Sequence, residues 1–169
     1  LQSIPEILAA FVTPNHPAVE SVLSDAAGIL GAWTGNSALS GYQSRDPQRV
    51  ALTTAAIYTA LQQCKIRYIN PPASFEETGQ KVRLPDRLLE SRLGTCLDLT
   101  VLAASCVEQC GIHPLVVITA GHAFVGAWLE EETFADVATD DLLRLRKRVE
   151  LGQITIFETT LVTNEIHVP

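Results

Sequence analysis

The sequence predicts an α+β domain in which a helical N-terminal half leads into a buried helix packed on a small antiparallel sheet. Three observations predict it. In the first half, apolar residues recur at helical spacing, at 18, 19, 22, 23, 26, 29, 30 and 33. Residues 96–110 are apolar on nearly all sides, as in a helix covered all round. Two β-rich runs, 114–120 and 122–129, then follow, parted by Gly121.

The elements read in order as follows. Residues 4–12 form a short apolar helix. Asn15-His16-Pro17 has the form of a helix start with Pro in the first turn, and opens a helix running to 33. Residues 34–41, which contain Gly35 and Gly41, form a loop. Asp46-Pro47 opens the next helix with Asp46 as N-cap, carried by apolar positions to Cys64. Residues 66–69 are a short extended piece stopped by Asn70-Pro71-Pro72, and 70–82 form a long loop. Pro85 opens a short helix ending near Leu93. The helix 96–110 is interrupted in its apolar character only by Asp98, Thr100, Ser105, Glu108 and Gln109, and Gly111 fits its C′ position. The runs 114–120 and 122–129 are apolar on both faces, as for central strands covered on each side. Residues 140–151 read as a helix with Asp140 and Asp141 at its positive end and Arg146, Lys147 and Arg148 toward its negative end. Residues 154–162 read as a third strand.

The 169 residues suit one compact domain, 1–169, with a helical front part to about 93 and a core from 94 onward. With 47% apolar and 18% charged residues, the composition excludes a disordered tail. The net charge of −7 makes nucleic-acid binding by this domain unexpected. Met is absent and the chain opens Leu1-Gln2-Ser3, which reads as a module cut from a longer protein. No run approaches 18 uncharged apolar residues, so no membrane span is expected. The four cysteines, 64, 96, 106 and 110, do not form a secreted disulfide pattern and read as reduced thiols of a cytoplasmic protein.

The strongest local signal is Gly94-Thr95-Cys96-Leu97-Asp98. Thr95 and Asp98 have capping-box spacing directly before an apolar helix, which makes Cys96 its first residue. The positive end of a helix stabilises a thiolate, and its free N–H groups can hold an oxyanion. Gly94 is read as keeping the approach clear of a side chain, and the Asp98 charge as working against the thiolate. His122, just after Gly121 at the start of a strand, is the candidate base: an imidazole beside a thiol holds it as an ion pair and later protonates a leaving group. His16 and His113 each adjoin a Pro and read as cap or turn residues, and His167 lies near the chain end. On position alone, Cys96 is as well explained by a structural core cysteine and His122 by a satisfied core histidine.

A cysteine at a buried helix start, then a strand, then Gly-His-Ala opening the next strand, resembles the transglutaminase-like branch of the papain-like cysteine enzymes. The stretches Lys81-Val82-Arg83-Leu84-Pro85, Gly94-Thr95-Cys96-Leu97-Asp98-Leu99 and Gly121-His122-Ala123-Phe124-Val125-Gly126 carry the resemblance. With Tyr68-Ile69-Asn70-Pro71-Pro72-Ala73-Ser74-Phe75-Glu76 and Gly79-Gln80 added, the chain is similar to the transglutaminase-like module of large bacterial helicase-like proteins. The resemblance implies a triad of Cys96, His122 and an acid. Phe157-Glu158-Thr159-Thr160 has the form of the family's acid strand, with Glu in place of Asp, and makes 130–152 an insertion. Asp136, 14 residues past His122, is the alternative acid and Asp140 the third. The Cys96 N–H, with Gln80 beside it, is the expected oxyanion site. The implied chemistry is acyl transfer on peptide or carboxamide bonds, hydrolysis or deamidation before cross-linking, with no metal or organic cofactor. The implied partners are a peptide or protein substrate and other domains of a helicase-like parent.

Three other readings compete. Cys106, Cys110 and His113 give C-x3-C-x2-H, a zinc-like spacing, but the pair lies on a helix with no evident fourth ligand. Arg144, Arg146, Lys147 and Arg148 form a basic cluster without interleaved aromatics, which fits a solvated helix better than a nucleic-acid site. The last is a silent transglutaminase-like fold that serves as an interaction or structural module.

Overall fold

The structure is a computed structural model and describes residues 4–70 and 81–163. It is a mixed α and β arrangement. Helix α1 is Ile4–Ala9, shorter than expected, because the chain leaves it in tight turns: Ala10, Phe11 and Val12 each donate to the carbonyl three residues back. Helix α2 is Pro17–Thr34; His16 is its N-cap, with Nδ1 accepting from the Ala18 N–H at 3.1 Å, and Gly35 closes it at φ 73°. Helix α3 is Pro47–Gln63, capped by Asp46, which accepts from the Gln48 N–H at 2.9 Å.

Strand β1 is Arg67–Tyr68 and pairs in parallel with β2, Leu93–Gly94, which follows α4, Pro85–Ser91. The sequence carries α4 on to Leu93; instead Arg92 turns left-handed at φ 51° and frees Leu93 and Gly94 for pairing. Helix α5 is Cys96–Gln109. Strand β3, Pro114–Thr119, β4, His122–Trp128, and β5, Ile154–Phe157, form an antiparallel sheet in the order β3-β4-β5. Helix α6 is Leu142–Glu150, slightly shorter than the expected 140–151, with Asp141 as its cap.

Two strand expectations need correction. Only β4 is central; β3 is an edge strand, half-buried, with Ile118 exposed. The third strand stops at Phe157, and 159–163 wind into a 3-10 turn. Glu158 itself ends the strand, because its carboxylate accepts from both the N–H and the hydroxyl of Thr160, each at 2.8 Å, and bends the chain round it.

Helix α5 is the axis of the fold. It packs on α2 and α3 on one side and on β3 and β4 on the other. Leu30, Ile57, Leu61, Leu99, Leu102 and Val125 meet in one apolar cluster that runs through both halves of the chain. Three of the polar interruptions read in α5 are buried, and each has a partner. Asp98 bonds Arg83, Thr100 bonds Thr159, and Ser105 bonds Val101 O and the Thr13 N–H. Glu108 and Gln109 are themselves exposed, in the last turn of the helix. Gly94 also serves packing: a Cβ there would lie 2.6 Å from the Leu88 Cδ1 methyl, which would have to shift to make room.

Candidate active site

The site grows from the start of α5. Thr95 is the N-cap: its hydroxyl accepts from the Asp98 N–H at 3.3 Å, and the Asp98 carboxylate accepts from the Thr95 N–H at 2.9 Å. This reciprocal box satisfies two backbone donors and fixes where Cys96 begins the helix. Cys96 is only 6% exposed, so a small reagent is needed to reach it.

His122 opens β4, immediately after Gly121, which takes a left-handed φ of 75°. Its Nε2 lies 2.6 Å from Glu158 Oε2, and both side chains are about one-third exposed. The strand register explains the meeting. β4 and β5 pair Val125 with Phe157, so Glu158 emerges from β5 toward the end of β4 that carries His122. The strand ends at Phe157, and the glutamate that follows it reaches the His122 ring. Burial pushes the Glu158 carboxyl up. The hydrogen bonds from His122 and from the Thr160 N–H and hydroxyl, with the electrostatic influence of His122, outweigh it and hold the group below its ordinary value.

Glu158 is therefore the carboxylate the structure brings to His122. Asp136 lies exposed in the loop before α6, 3.6 Å from Arg144, and Asp140 is exposed just before that helix cap. Gln80, the candidate oxyanion donor, lies outside the described residues, as does His167. Among the described residues no hydrogen bond joins Cys96 to His122.

The two halves are tied together indirectly. Thr100 lies one helical turn after Cys96 on the same face of α5, and its hydroxyl bonds that of Thr159 at 2.9 Å in the buried core. Thr159 is the chain neighbour of Glu158. A second tie runs through Tyr68, which pairs with Gly94 in the β1–β2 register, two residues before Cys96. The Tyr68 phenol is pushed up by burial first, then by the neighbouring Cys96 and by Glu158. Tyr58 completes the surroundings, its hydroxyl donating to the Glu158 carbonyl at 3.4 Å.

Tyr68, Arg83 and the Thr100–Thr159 pair were not read as site residues. Their signal was faint. Tyr68 and Arg83 fall within motif stretches, and Thr100 was one of the polar interruptions of an otherwise apolar helix.

The competing constellations are separate from this place. Burial pushes the Cys110 thiol up to about 11 and the Cys106 thiol higher still, with the neighbouring Cys110 and Cys64 adding to Cys106. His113 Nδ1 is engaged by the Glu132 carbonyl at 2.9 Å. Among the described residues no group of three or more His, Cys, Asp or Glu side chains is arranged to hold a metal ion. In the basic cluster, Arg144 lies over the Phe134 ring at 5.0 Å and Arg148 over the Trp128 ring at 5.7 Å. Both side chains fasten α6 to its own domain. Among the described residues no helix is long and apolar enough to cross a membrane.

Comparison with models of known protein families, with curated proteins and with solved structures finds no match.

Proposed function

We propose that the chain is a transglutaminase-like cysteine enzyme domain in which Cys96, His122 and Glu158 cleave peptide or carboxamide bonds by acyl transfer. The observation that carries the proposal is the 2.6 Å bond between His122 Nε2 and Glu158. It occupies the distal ring nitrogen, fixes the tautomer and turns Nδ1 into the nitrogen available to a thiol.

The chemistry follows from the residues. His122 takes the Cys96 proton, and the α5 N-terminus stabilises the thiolate. Cys96 Sγ attacks the carbonyl carbon. The capping box engages the N–H groups of Thr95 and Asp98 but not that of Cys96, which is left to donate to the oxyanion. As the C–N bond breaks, the imidazolium returns its proton to the departing amine and a thioester remains. Water, deprotonated by His122, attacks the thioester and restores the thiol. No metal or organic cofactor enters any step. Hydrolysis or deamidation is favoured over cross-linking, since no dedicated amine site is evident among the described residues. The parent is proposed to be a larger, helicase-like bacterial protein working in the cytoplasm, with nucleic acid handled by its other domains.

The test is labelling with iodoacetamide across pH, with the modified cysteine located by peptide mapping, on wild type, Cys96→Ala and His122→Ala. Rapid labelling at neutral pH that vanishes in Cys96→Ala and slows at least about tenfold in His122→Ala supports the enzyme. If Cys96 reacts no faster than a simple alkyl thiol, the silent interaction module is the correct reading.

A further inference from the structure

Asp98 raises a problem for a thiolate at Cys96. Its side chain is fully buried, in the same helical turn as the cysteine. A capping carboxylate is ordinarily solvated; a buried one needs a counter-charge, and an unpaired anion there would oppose a second negative charge on sulfur. The counter-charge is Arg83. Its Nη1 donates to Asp98 Oδ2 at 2.7 Å, and its backbone N–H donates to Oδ1 at 2.7 Å. With the Thr95 N–H at 2.9 Å, the carboxylate accepts three bonds from two segments. The guanidinium is the one cation among these donors.

We propose that Arg83 is a positioning residue that cancels the Asp98 charge beneath Cys96 and pins the α5 N-terminus, so that the helix start can hold a thiolate. The proposal rests on reading Cys96 as the nucleophile. Three observations separate this role from an ordinary surface ion pair. The acid is fully buried, whereas the exposed pair Arg87–Glu90 is solvated at both ends. The bond is doubled through the backbone, so the segment before α4 is fixed as well as the charge. The acid is also the N3 member of the capping box that sets the position of Cys96. Among the described residues Tyr68 of β1 lies against Cys96 and senses Glu158, which in turn is bonded to His122 of β4. Arg67 of β1 and Arg92 just before β2 are exposed.

The experiment measures the rate of Cys96 alkylation by iodoacetamide against pH in wild type, Arg83→Gln, Arg83→Lys, Asp98→Asn and the double variant Arg83→Gln/Asp98→Asn. Arg83→Gln is expected to move the midpoint of the pH profile up by about 1, slowing labelling about tenfold below it. Arg83→Lys should recover part of that loss. Asp98→Asn, which keeps an oxygen for the cap but removes the charge, should move the midpoint down. The double variant should return close to wild type. If Arg83→Gln does not fold, Asp98→Asn alone still decides, since an unmoved midpoint there overturns the proposal. A shift in Arg83→Gln that Asp98→Asn fails to reverse overturns it as well, because the effect would then be structural. A wild-type Cys96 that reacts like a simple thiol refutes the enzyme reading instead, a result distinguishable from every variant outcome.

Discussion

The hydrogen bond between Thr100 and Thr159 should couple the cysteine helix to the acid, and its strength can be worked out from burial. Both side chains are fully buried, at 0% and 1% exposure, and their hydroxyls lie 2.9 Å apart. Thr100→Val replaces the hydroxyl by a methyl of similar size, so packing is retained while the Thr159 hydroxyl loses its partner. A buried hydroxyl left unpaired costs about 1–3 kcal/mol. In a domain of this length each kcal/mol lowers Tm by about 2–4 °C, so a mid-range cost of about 2 kcal/mol is a fall of about 4–8 °C. Thr159→Val should cost a similar amount. The double variant leaves no unpaired hydroxyl and should be at least about 1 kcal/mol more stable than the sum of the two losses predicts. The assay is urea unfolding of the four proteins, followed by circular dichroism. Losses that add within about 0.5 kcal/mol would refute the coupling. A loss below about 0.5 kcal/mol in Thr100→Val would refute the claim that the hydroxyls depend on each other.

The remaining predictions use the same logic. Among the described residues the buried Thr53 hydroxyl has no partner, so Thr53→Val should leave stability unchanged or raise it by up to about 1 kcal/mol in urea unfolding. Glu158→Gln should slow Cys96 labelling at neutral pH at least about tenfold, while Asp136→Asn, altering an exposed side chain paired with Arg144, should leave it unchanged. The Glu158 carboxyl is held below its ordinary value, so its bonded form adds stability above the range where an unfolded glutamate titrates, near pH 4. That contribution is lost as pH falls through the lower folded value, and a pH series of Tm should show a shallower acid limb in Glu158→Gln. Gly41→Ala should destabilise by about 1–3 kcal/mol in urea unfolding, because its Cβ would lie 2.7 Å from the carbonyl oxygens of Cys110 and Gly111, both backbone atoms that cannot swing aside.

Helix positions were legible because their signals are local. His16 and Asp46 cap α2 and α3, and Thr95 with Asp98 caps α5, through side chains that reach only two or three residues along the chain. The β-rich runs were legible for the same reason, but their covering was not. A run apolar on both faces fits β4, whereas β3 has a similar composition and lies at an edge. The end of β5 was misread because residues 158–162 have strand-like composition. What turns them is tertiary: the Thr160 bonds to Glu158 and the Thr159 bond to a helix 59 residues earlier in the chain. The parallel pairing of Arg67–Tyr68 with Leu93–Gly94 is two residues long and non-local, too short for any periodicity to reveal. That pairing is what hid Tyr68.

The polar positions of α5 show why the site lies where it does. A helix covered on all sides can carry a polar side chain only where another segment supplies its partner. Each buried polar residue of α5 therefore marks a place where the chain returns. At Asp98 the segment before α4 is seated, at Thr100 the turn after β5, and at Ser105 the turn before α2. Asp98 and Thr100 lie within one turn of Cys96, and the segments they fix are those that carry Arg83 and, beside Thr159, Glu158. Ser105 lies two turns further on, and the segment it fixes carries none of the proposed site residues. The apolar surplus of the sequence and its few polar exceptions thus have one cause: α5 is enclosed, and its first residue is buried where the capping box leaves its own N–H unengaged.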